Sequence, residues 1–324
     1  MVRPSRPVPC RPAPASSRLW PEPRGFGCGY LAMSHTSRSR SQRTVRRPAV
    51  VVGRGYWSGR ENRVEVHPAP AGAGIVFVRG DLDPPVRIPA TLDSRVDASS
   101  RTNLVAAGAR IEMVEHLLSA LAGLRVDCCL IRVDSEEMPG LDGSSQAFVE
   151  AIDAAGVEDL GAPVEPIVVR DPVRVADGAA WLEALPPRFP GLSIDYTLDY
   201  GPGPIGRQEC SLRVTPESYR EELAAARTFI SVEEAGRLRA AGLGLTVSTR
   251  DLIVFGPDGP VDNPLRWPDE CVRHKVLDLV GDLSLAGRPI HAHVRACRSG
   301  HRLNAELAGR LLAGAAAQRE CVPV

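Results

Sequence analysis

The sequence predicts an α+β protein made of two similar halves, and three observations lead there. Strand-like alternation fills the start of each half, and each half then carries a long apolar-striped segment that opens with a histidine-containing motif. Between them, the pattern restarts after the Gly- and Pro-containing stretch Gly161–Pro166, and 162–166 is the expected domain boundary. The expected organisation is a basic tail at 1–42, a first α+β domain at 43–163 and a second at 164–324.

In the first half a strand is expected from near Val45 through VVVGRG, closed by a turn at Gly53–Gly59. NRVEVHPAP alternates Val64 and Val66 against Arg63, Glu65 and His67, which suits a half-buried strand, and GIVFVRGDL supplies the next one. Pro84, Pro85 and Pro89 lack the N–H that a central ladder needs, so DPPVRIPATLDSRVD reads as irregular or edge. The first helix is IEMVEHLLSALAGL, with Leu117, Leu118, Leu121 and Leu124 as its apolar stripe and Gly123 near its end. The strand VDCCLIRV follows, then a turn in SEEMPGLDGSS and a helix with Phe148, Val149 and Ile152 as core contacts.

The second half reads as strands at PIVVRDPVRVAD, AWLEALP, LSIDYTLDY and ECSLRVT. GPGPIG at 201–206 joins two of them and lacks the Lys-Ser/Thr of a phosphate cradle, so it is a loop. A helix starts at Pro216, a second is SVEEAGRLRAAGLGL, and TRDLIVFGPDG is a strand and turn. After the organising helix at Asp269–Leu285 come the strand PIHAHVRA, a turn at RSGHRLN and a terminal helix AELAGRLLAGAAAQ.

A chain of 324 residues with 44% hydrophobic and 24% charged residues is long enough for one or two domains with real cores. It holds no run of about 18 apolar residues, so no transmembrane segment is expected. The 8 cysteines show no C-x-x-C pair and no framework spacing, and read as reduced thiols of a cytoplasmic protein. The net charge of zero hides an asymmetry, because residues 1–48 hold ten Arg against one Glu (+9), leaving −9 for the rest. An acidic body argues against nucleic acid as a partner of the folded part. The Pro-, Arg- and Ser-rich tail is expected to be disordered, whether it is translated sequence upstream of a start at Met33, a targeting peptide or a basic arm.

Asp269–Leu285 carries the chemistry. At about 100° per residue, His274, Lys275, Asp278 and Asp282 share one edge of the helix, and Val272, Val276, Leu277, Leu279, Val280 and Leu283 share the other side. His274 and Asp278 stand at i and i+4, the spacing of two ligands to one metal ion and equally of a solvated ion pair. Lys275 bears on the choice, since it is the one lysine among 39 Lys+Arg, a compact ammonium where Arg's planar fork would not be equivalent. Glu115 and His116 pose the same question, as a general base beside a ligand or as a surface pair near a helix N-terminus. His291 and His293 form an H-x-H on one strand face, a rival ligand pattern, and His301 stands at an element boundary.

MVEHLLSALAGL, EMPGLDGSSQAFV, ARTF, LRWPDECVRHKVLDLVGDL and RSGHRLN, in this order, resemble the motifs of the LpxC family. That family comprises the zinc-dependent UDP-3-O-acyl-N-acetylglucosamine deacetylases of the committed step of lipid A biosynthesis. The resemblance runs from about Arg43 to about Leu312. It implies that His116, His274 and Asp278 bind Zn2+ with a position open for water and substrate. Glu115 would be the general base, Thr228 and Lys275 the stabilisers of the tetrahedral oxyanion, and His301, oriented by Asp282, the electrostatic stabiliser or proton donor to the leaving amine. Phe229 would pack near the hexosamine and Arg298 would face the nucleotide phosphates. The implied fold packs the helices of both domains together between two sheets. Its site lies at the domain interface, reached by an apolar passage from an insert near 231–262, with which Leu243, Leu245, Ile253 and Val254 are compatible. The implied partners of a monomeric chain are a UDP-linked acylated amino sugar and water. The residues agree, because amide hydrolysis needs a Lewis acid, a base, an oxyanion partner and an acid, and the chain supplies a candidate for each.

Two stretches depart from the family pattern. Its common Gly-Leu-His-Ser/Thr-Gly is here Gly55-Tyr56-Trp57-Ser58-Gly59, and Thr246 and Val247 stand where a glycine pair is usual. These departures bear on sugar and acyl-chain contacts, so the alternatives are the same chemistry on another N-acetylated sugar, or a non-catalytic binding protein. A binder has no need of Glu115, His301 and Lys275 together.

Overall fold

The computed structural model describes residues 40–320; the disorder the composition predicts for the tail falls, for residues 1–39, outside the described residues. The first strand, β1 (Ser41–Val45), begins ahead of the Val45 start that the sequence suggests. The cause is long-range: Asp127 accepts two bonds from the Arg40 guanidinium (2.6 and 2.8 Å) and one from the Arg43 backbone N–H (2.9 Å). Basic residues that read as tail are thus tied down by a carboxylate from elsewhere.

β2 (Ala49–Arg54) and β3 (Glu61–Pro68) form a hairpin, and β4 (Ile75–Arg79) and β5 (Val86–Pro89) form another, with β5 at the sheet edge where its proline costs no ladder bond. A three-stranded piece follows: β6 (Arg95–Val96), β7 (Asn103–Ala106) and β8 (Ala109–Ile111). α1 spans Glu115–Gly123 and is shorter than its apolar stripe suggests, because Ile111 ends β8 and Met113 takes φ +62. Glu115 and His116 are therefore its first two residues. β9 (Cys129–Val133) inserts between β3 and β4, α2 (Gln146–Ala155) lies over β2, and β10 (Val157–Pro163) pairs with β1.

The second half opens with β11 (Ile167–Val168), β12 (Val173–Asp177), β13 (Ala180–Leu185), β14 (Leu192–Asp199) and β15 (Arg207–Arg213). α3 (Pro216–Ser218), capped by Thr215, runs into a π-helical turn at Tyr219–Leu223. β16 (Phe229–Ser231), α4 (Val232–Ala240), β17 (Ile253–Gly256) and β18 (Gly259–Pro260) then form a small separate sheet with one helix. α4 stops short of GLGL because Gly242 takes φ +80. α5 (Glu270–Ser284), β19 (Ile290–Cys297) and α6 (His301–Glu320) complete the chain, and α6 begins at His301 itself, where the sequence suggests a turn.

The two large sheets have one topology, β2-β3-β9-β4-β5 and β12-β13-β19-β14-β15, with β11 also alongside β19. In each, the strand after the long helix slots between two hairpins, parallel to the third strand and antiparallel to the second. The likeness of the halves is a repeated fold. α5 packs on β14 and β15, α6 on β12 and β13, and α1 against α5, so helices lie between the sheets. Sandwiched this way, α5 buries its polar edge too: His274, Asp278 and Asp282 are 1%, 3% and 0% exposed, which rules out a solvated ion pair. α1 and α5 meet backbone to backbone at Gly281, where a Cβ would stand 2.3 Å from the Glu115 carbonyl oxygen. Ser119 Oγ fastens the contact by donating to the Leu277 carbonyl at 2.7 Å. That close approach delivers the first turn of α1 to the polar edge of α5.

Candidate active site

Where α1 meets α5, one side-chain nitrogen each of His116 and His274 and an oxygen of Asp278 lie within 4.8 Å of one another. His274 Nδ1 faces the Ala226 carbonyl at 3.0 Å, and because a carbonyl only accepts, this nitrogen carries the proton. Its Nε2 therefore turns a lone pair toward Asp278 Oδ1 at 3.3 Å, and His116 Nε2 stands 3.8 Å from the same oxygen. Burial, and then His274, push His116 down to about 3, and burial lowers His274 as well, so charge on either ring is disfavoured. Burial opposes the charge of Asp278, yet His274 and Lys275 hold its carboxyl well below the usual range; Lys275 Nζ donates to its Oδ2 at 2.8 Å. His274 Nε2 and Asp278 Oδ1 thus turn lone pairs toward one another, and His116 Nδ1 is buried with no partner, an arrangement that a cation among the three side chains would stabilise. Donors around a tetrahedral ion with bonds of about 2.0–2.1 Å sit roughly 3.4 Å apart, so the observed spacings fit a small divalent metal. The rival pattern falls away: His293 Nδ1 lies 2.9 Å from Ser193 Oγ, and neither His291 nor His293 belongs to the three.

Two titrating groups flank the cluster. Burial raises the Glu115 carboxyl to about 7, although His301 pulls the other way, and Glu115 Oε2 accepts the Thr102 N–H at 2.9 Å. Burial alone would lower His301, but the Asp282 carboxylate, which accepts from its Nδ1 at 2.9 Å, raises it to about 9. Asp282 also accepts from Thr102 Oγ1 (2.6 Å) and Asn304 Nδ2 (2.8 Å), which fixes its orientation. Thr102 thereby ties the Glu115 side of the cluster to the His301 side. Neither Thr102 nor Asn304 stands out in the sequence, since Thr102 is 180 residues from Asp282 and no periodicity links them.

The cluster opens into a cleft of about 470 Å³ whose wall includes Glu115, Lys275, Thr228, Phe229, Tyr200 and His301, with exposed Arg298 also on it. Burial opposes the charge of Lys275, and Asp278 outweighs it, so the ammonium's pKa is raised. Phe229 stands edge-on to Tyr200 (5.6 Å) and Phe255 (6.2 Å). A second cavity of about 340 Å³, lined by Val232, Leu238, Leu243, Val247, Val254 and Val261 among others, adjoins the cleft through Tyr56, Trp57, Ile230 and Leu252, which line both. Of the four residues compatible with a passage, Leu243 and Val254 are in this wall. Ile253 is core at 0% exposure, because it alternates with Val254 along β17, and Leu245 points away at 68% exposure. The two atypical loops meet here: a Cβ on Gly59 (φ +65) would stand 2.7 Å from Thr246 Oγ1, while Trp57 and Val247 line the passage. Glu137 holds the first loop, accepting the N–H groups of Trp57 (2.7 Å) and Ser58 (2.8 Å).

Among the described residues no helix is long and apolar enough to cross a membrane, and Cys128, Cys129, Cys210 and Cys271 are free thiols and buried. A repeated α+β fold in which α1 and α5 meet at a buried His-His-Asp cluster, flanked by a carboxyl near 7 and an imidazolium near 9, is that of a metal-dependent hydrolase. Residues 42–313 match the LpxC family, described as UDP-3-O-acyl N-acetylglycosamine deacetylase, and the chain belongs to that family. It is 39% identical over 280 residues to the UDP-3-O-acyl-N-acetylglucosamine deacetylase of Myxococcus xanthus, covering 85% of this chain and 87% of the relative. It is 40% identical over 275 residues to the enzyme of the same name from Solibacter usitatus, with 84% and 92% covered. The corresponding enzyme of Thermosynechococcus vestitus is 40% identical over 268 residues, with 83% and 93% covered.

Proposed function

We propose that the chain is a cytoplasmic, monomeric zinc deacetylase that hydrolyses the N-acetyl group of UDP-3-O-acyl-N-acetylglucosamine, releasing acetate in the committed step of lipid A biosynthesis. Its halves act as two domains, 43–163 and 164–324, with the site at their seam. His116, His274 and Asp278 would hold the zinc, which when bound supplies Lewis acidity to the water and the amide carbonyl. Glu115, poised near neutrality, takes the proton of the attacking water as its oxygen bonds to the carbonyl carbon. Lys275 keeps N–H donors beyond the one that bonds Asp278, and with Thr228 it faces the negative charge that gathers on the carbonyl oxygen. As the C–N bond breaks, His301 gives its proton to the departing amine while Asp282 fixes the ring. Phe229 packs beside the hexosamine, Arg298 meets the diphosphate, and the apolar passage takes the acyl chain.

The observation that carries this reading is a base near 7 and an acid near 9 flanking one cluster of three metal-ligand side chains. Metal content and deacetylation by the full chain test it, comparing wild type with His116→Ala/Asp278→Ala. About one zinc per chain together with turnover, both lost in the double variant, is the expected result. A metal-replete wild type that leaves this sugar intact but hydrolyses another N-acetylated sugar would overturn the substrate assignment.

A further inference from the structure

The peptide group between Ala226 and Arg227 is held at both ends by α5. Its carbonyl accepts from His274 Nδ1 at 3.0 Å, and its N–H donates to Glu270 Oε1 at 3.1 Å. Glu270, the first residue of α5, stands one helical turn before His274, so both side chains reach the same peptide. It is 0% exposed, and its carboxylate also accepts from Arg227 Nε (2.7 Å), Arg227 Nη2 (3.0 Å) and the Arg266 N–H (2.6 Å). Arg227, itself 4% exposed, directs further donors to the Pro264 carbonyl (2.8 Å) and to Asn263 Oδ1. Neither Glu270 nor Arg227 lines the cleft or the passage.

We propose that Glu270 is a positioning residue for His274, acting through the Ala226–Arg227 peptide; the inference rests on the reading of His116, His274 and Asp278 as metal ligands. A peptide group is planar, so an N–H fixed on Glu270 aims the carbonyl at its other end. That carbonyl keeps the proton on His274 Nδ1 and leaves the Nε2 lone pair turned toward Asp278. The carboxylate also polarises the peptide, which makes the carbonyl a stronger acceptor and Nε2 a better ligand for a cation. Arg227 supplies the countercharge and locks the residue that bears the N–H. A buried ion pair adds little net stability, because desolvation offsets the attraction, so stability by itself does not account for this one. Thr228 follows Arg227 directly, so the same clamp sets its place in the cleft wall.

The test is the zinc affinity of the full chain, read by competition with a chromogenic chelator. The visible spectrum of the Co2+-loaded protein and the denaturant midpoint of the metal-free protein are recorded beside it. Glu270→Gln removes the charge at almost constant volume. Its zinc dissociation constant should rise about 10–100-fold and its Co2+ spectrum should shift; with zinc saturating, kcat falls while KM holds. A purely structural role would lower the metal-free midpoint and leave zinc affinity and the Co2+ spectrum as in wild type, and that result overturns the proposal. Where the single variant does not fold, Arg227→Met/Glu270→Leu removes both charges together and carries the same expectation. A double variant that also fails to fold makes the pair a structural one and overturns the proposal too. A wild type that binds zinc but leaves the acylated sugar intact strikes the deacetylase reading alone, because the affinity comparison still decides this one. A wild type that binds no zinc strikes both.

Discussion

Between the outer hairpin and the long helix, the first half folds as the β6, β7 and β8 piece, whereas the second half fills the same place with α3, β16, α4, β17 and β18. The first segment turns inward. Its Thr102, 0% exposed, bonds Glu115 with its backbone and Asp282 with its hydroxyl. The second turns outward, walling an apolar passage and ending in a loop whose Leu245 is 68% exposed. The long helices differ in the same spirit: α1 offers its first turn, with Glu115 and His116, while α5 offers His274, Asp278 and Asp282 along its length. A repeated frame thus brings two helices together at Gly281, and unequal inserts give one side an internal clamp and the other the wall of an apolar cavity.

The largest effect should come from separating the roles of the two helices. His274→Ala removes the metal and takes turnover to background. Glu115→Gln keeps the metal and lowers kcat by about a hundred- to ten-thousand-fold, as removal of a general base does. Metal analysis beside steady-state kinetics checks both, and equal metal loss in the two would break the division of labour. Gly281→Ala attacks the crossing itself, since the added methyl meets backbone rather than a flexible side chain. A loss of about 1–3 kcal/mol in denaturant unfolding, with a fall in turnover, is expected from such overpacking. Unchanged stability would mean that the helices can part without cost.

Thr102→Val tests the clamp more gently, because it keeps the N–H to Glu115 and removes only the hydroxyl to Asp282. Leaving that buried carboxylate oxygen unpaired should cost about 1–3 kcal/mol, read as a lower denaturation midpoint. The smallest effect at neutral pH is on titration. His301 is raised to about 9 from its ordinary 6.5, so the stability gained by its protonation is full below 6.5 and lost as pH rises through about 9. Turnover should fall over the same alkaline range. Asp282→Asn removes the charge that raises His301 and should move the alkaline limb of the rate profile to lower pH; a limb that stays near 9 would assign it to another group.

Much of this was legible in the residues because the signals are local. Alternation marked β3, prolines marked the edge strand β5, and the 3.6-residue period placed His274, Asp278 and Asp282 on one edge of α5. Other local signals misled. The apolar stripe ran past the true start of α1, and the arginines around β1 read as tail because their carboxylate partners lie far away in sequence.

By itself the sequence determined which groups share a face, because a helix or strand of fixed period places its side chains without help from the rest of the chain. Which faces meet was decided only by the tertiary structure, through the backbone contact at Gly281 that sets His116 against His274 and Asp278. The same packing removes water from Glu115 and His301 and surrounds them with fixed charges. Their protonation therefore depends on long-range burial and charge, which no local pattern of residues carries.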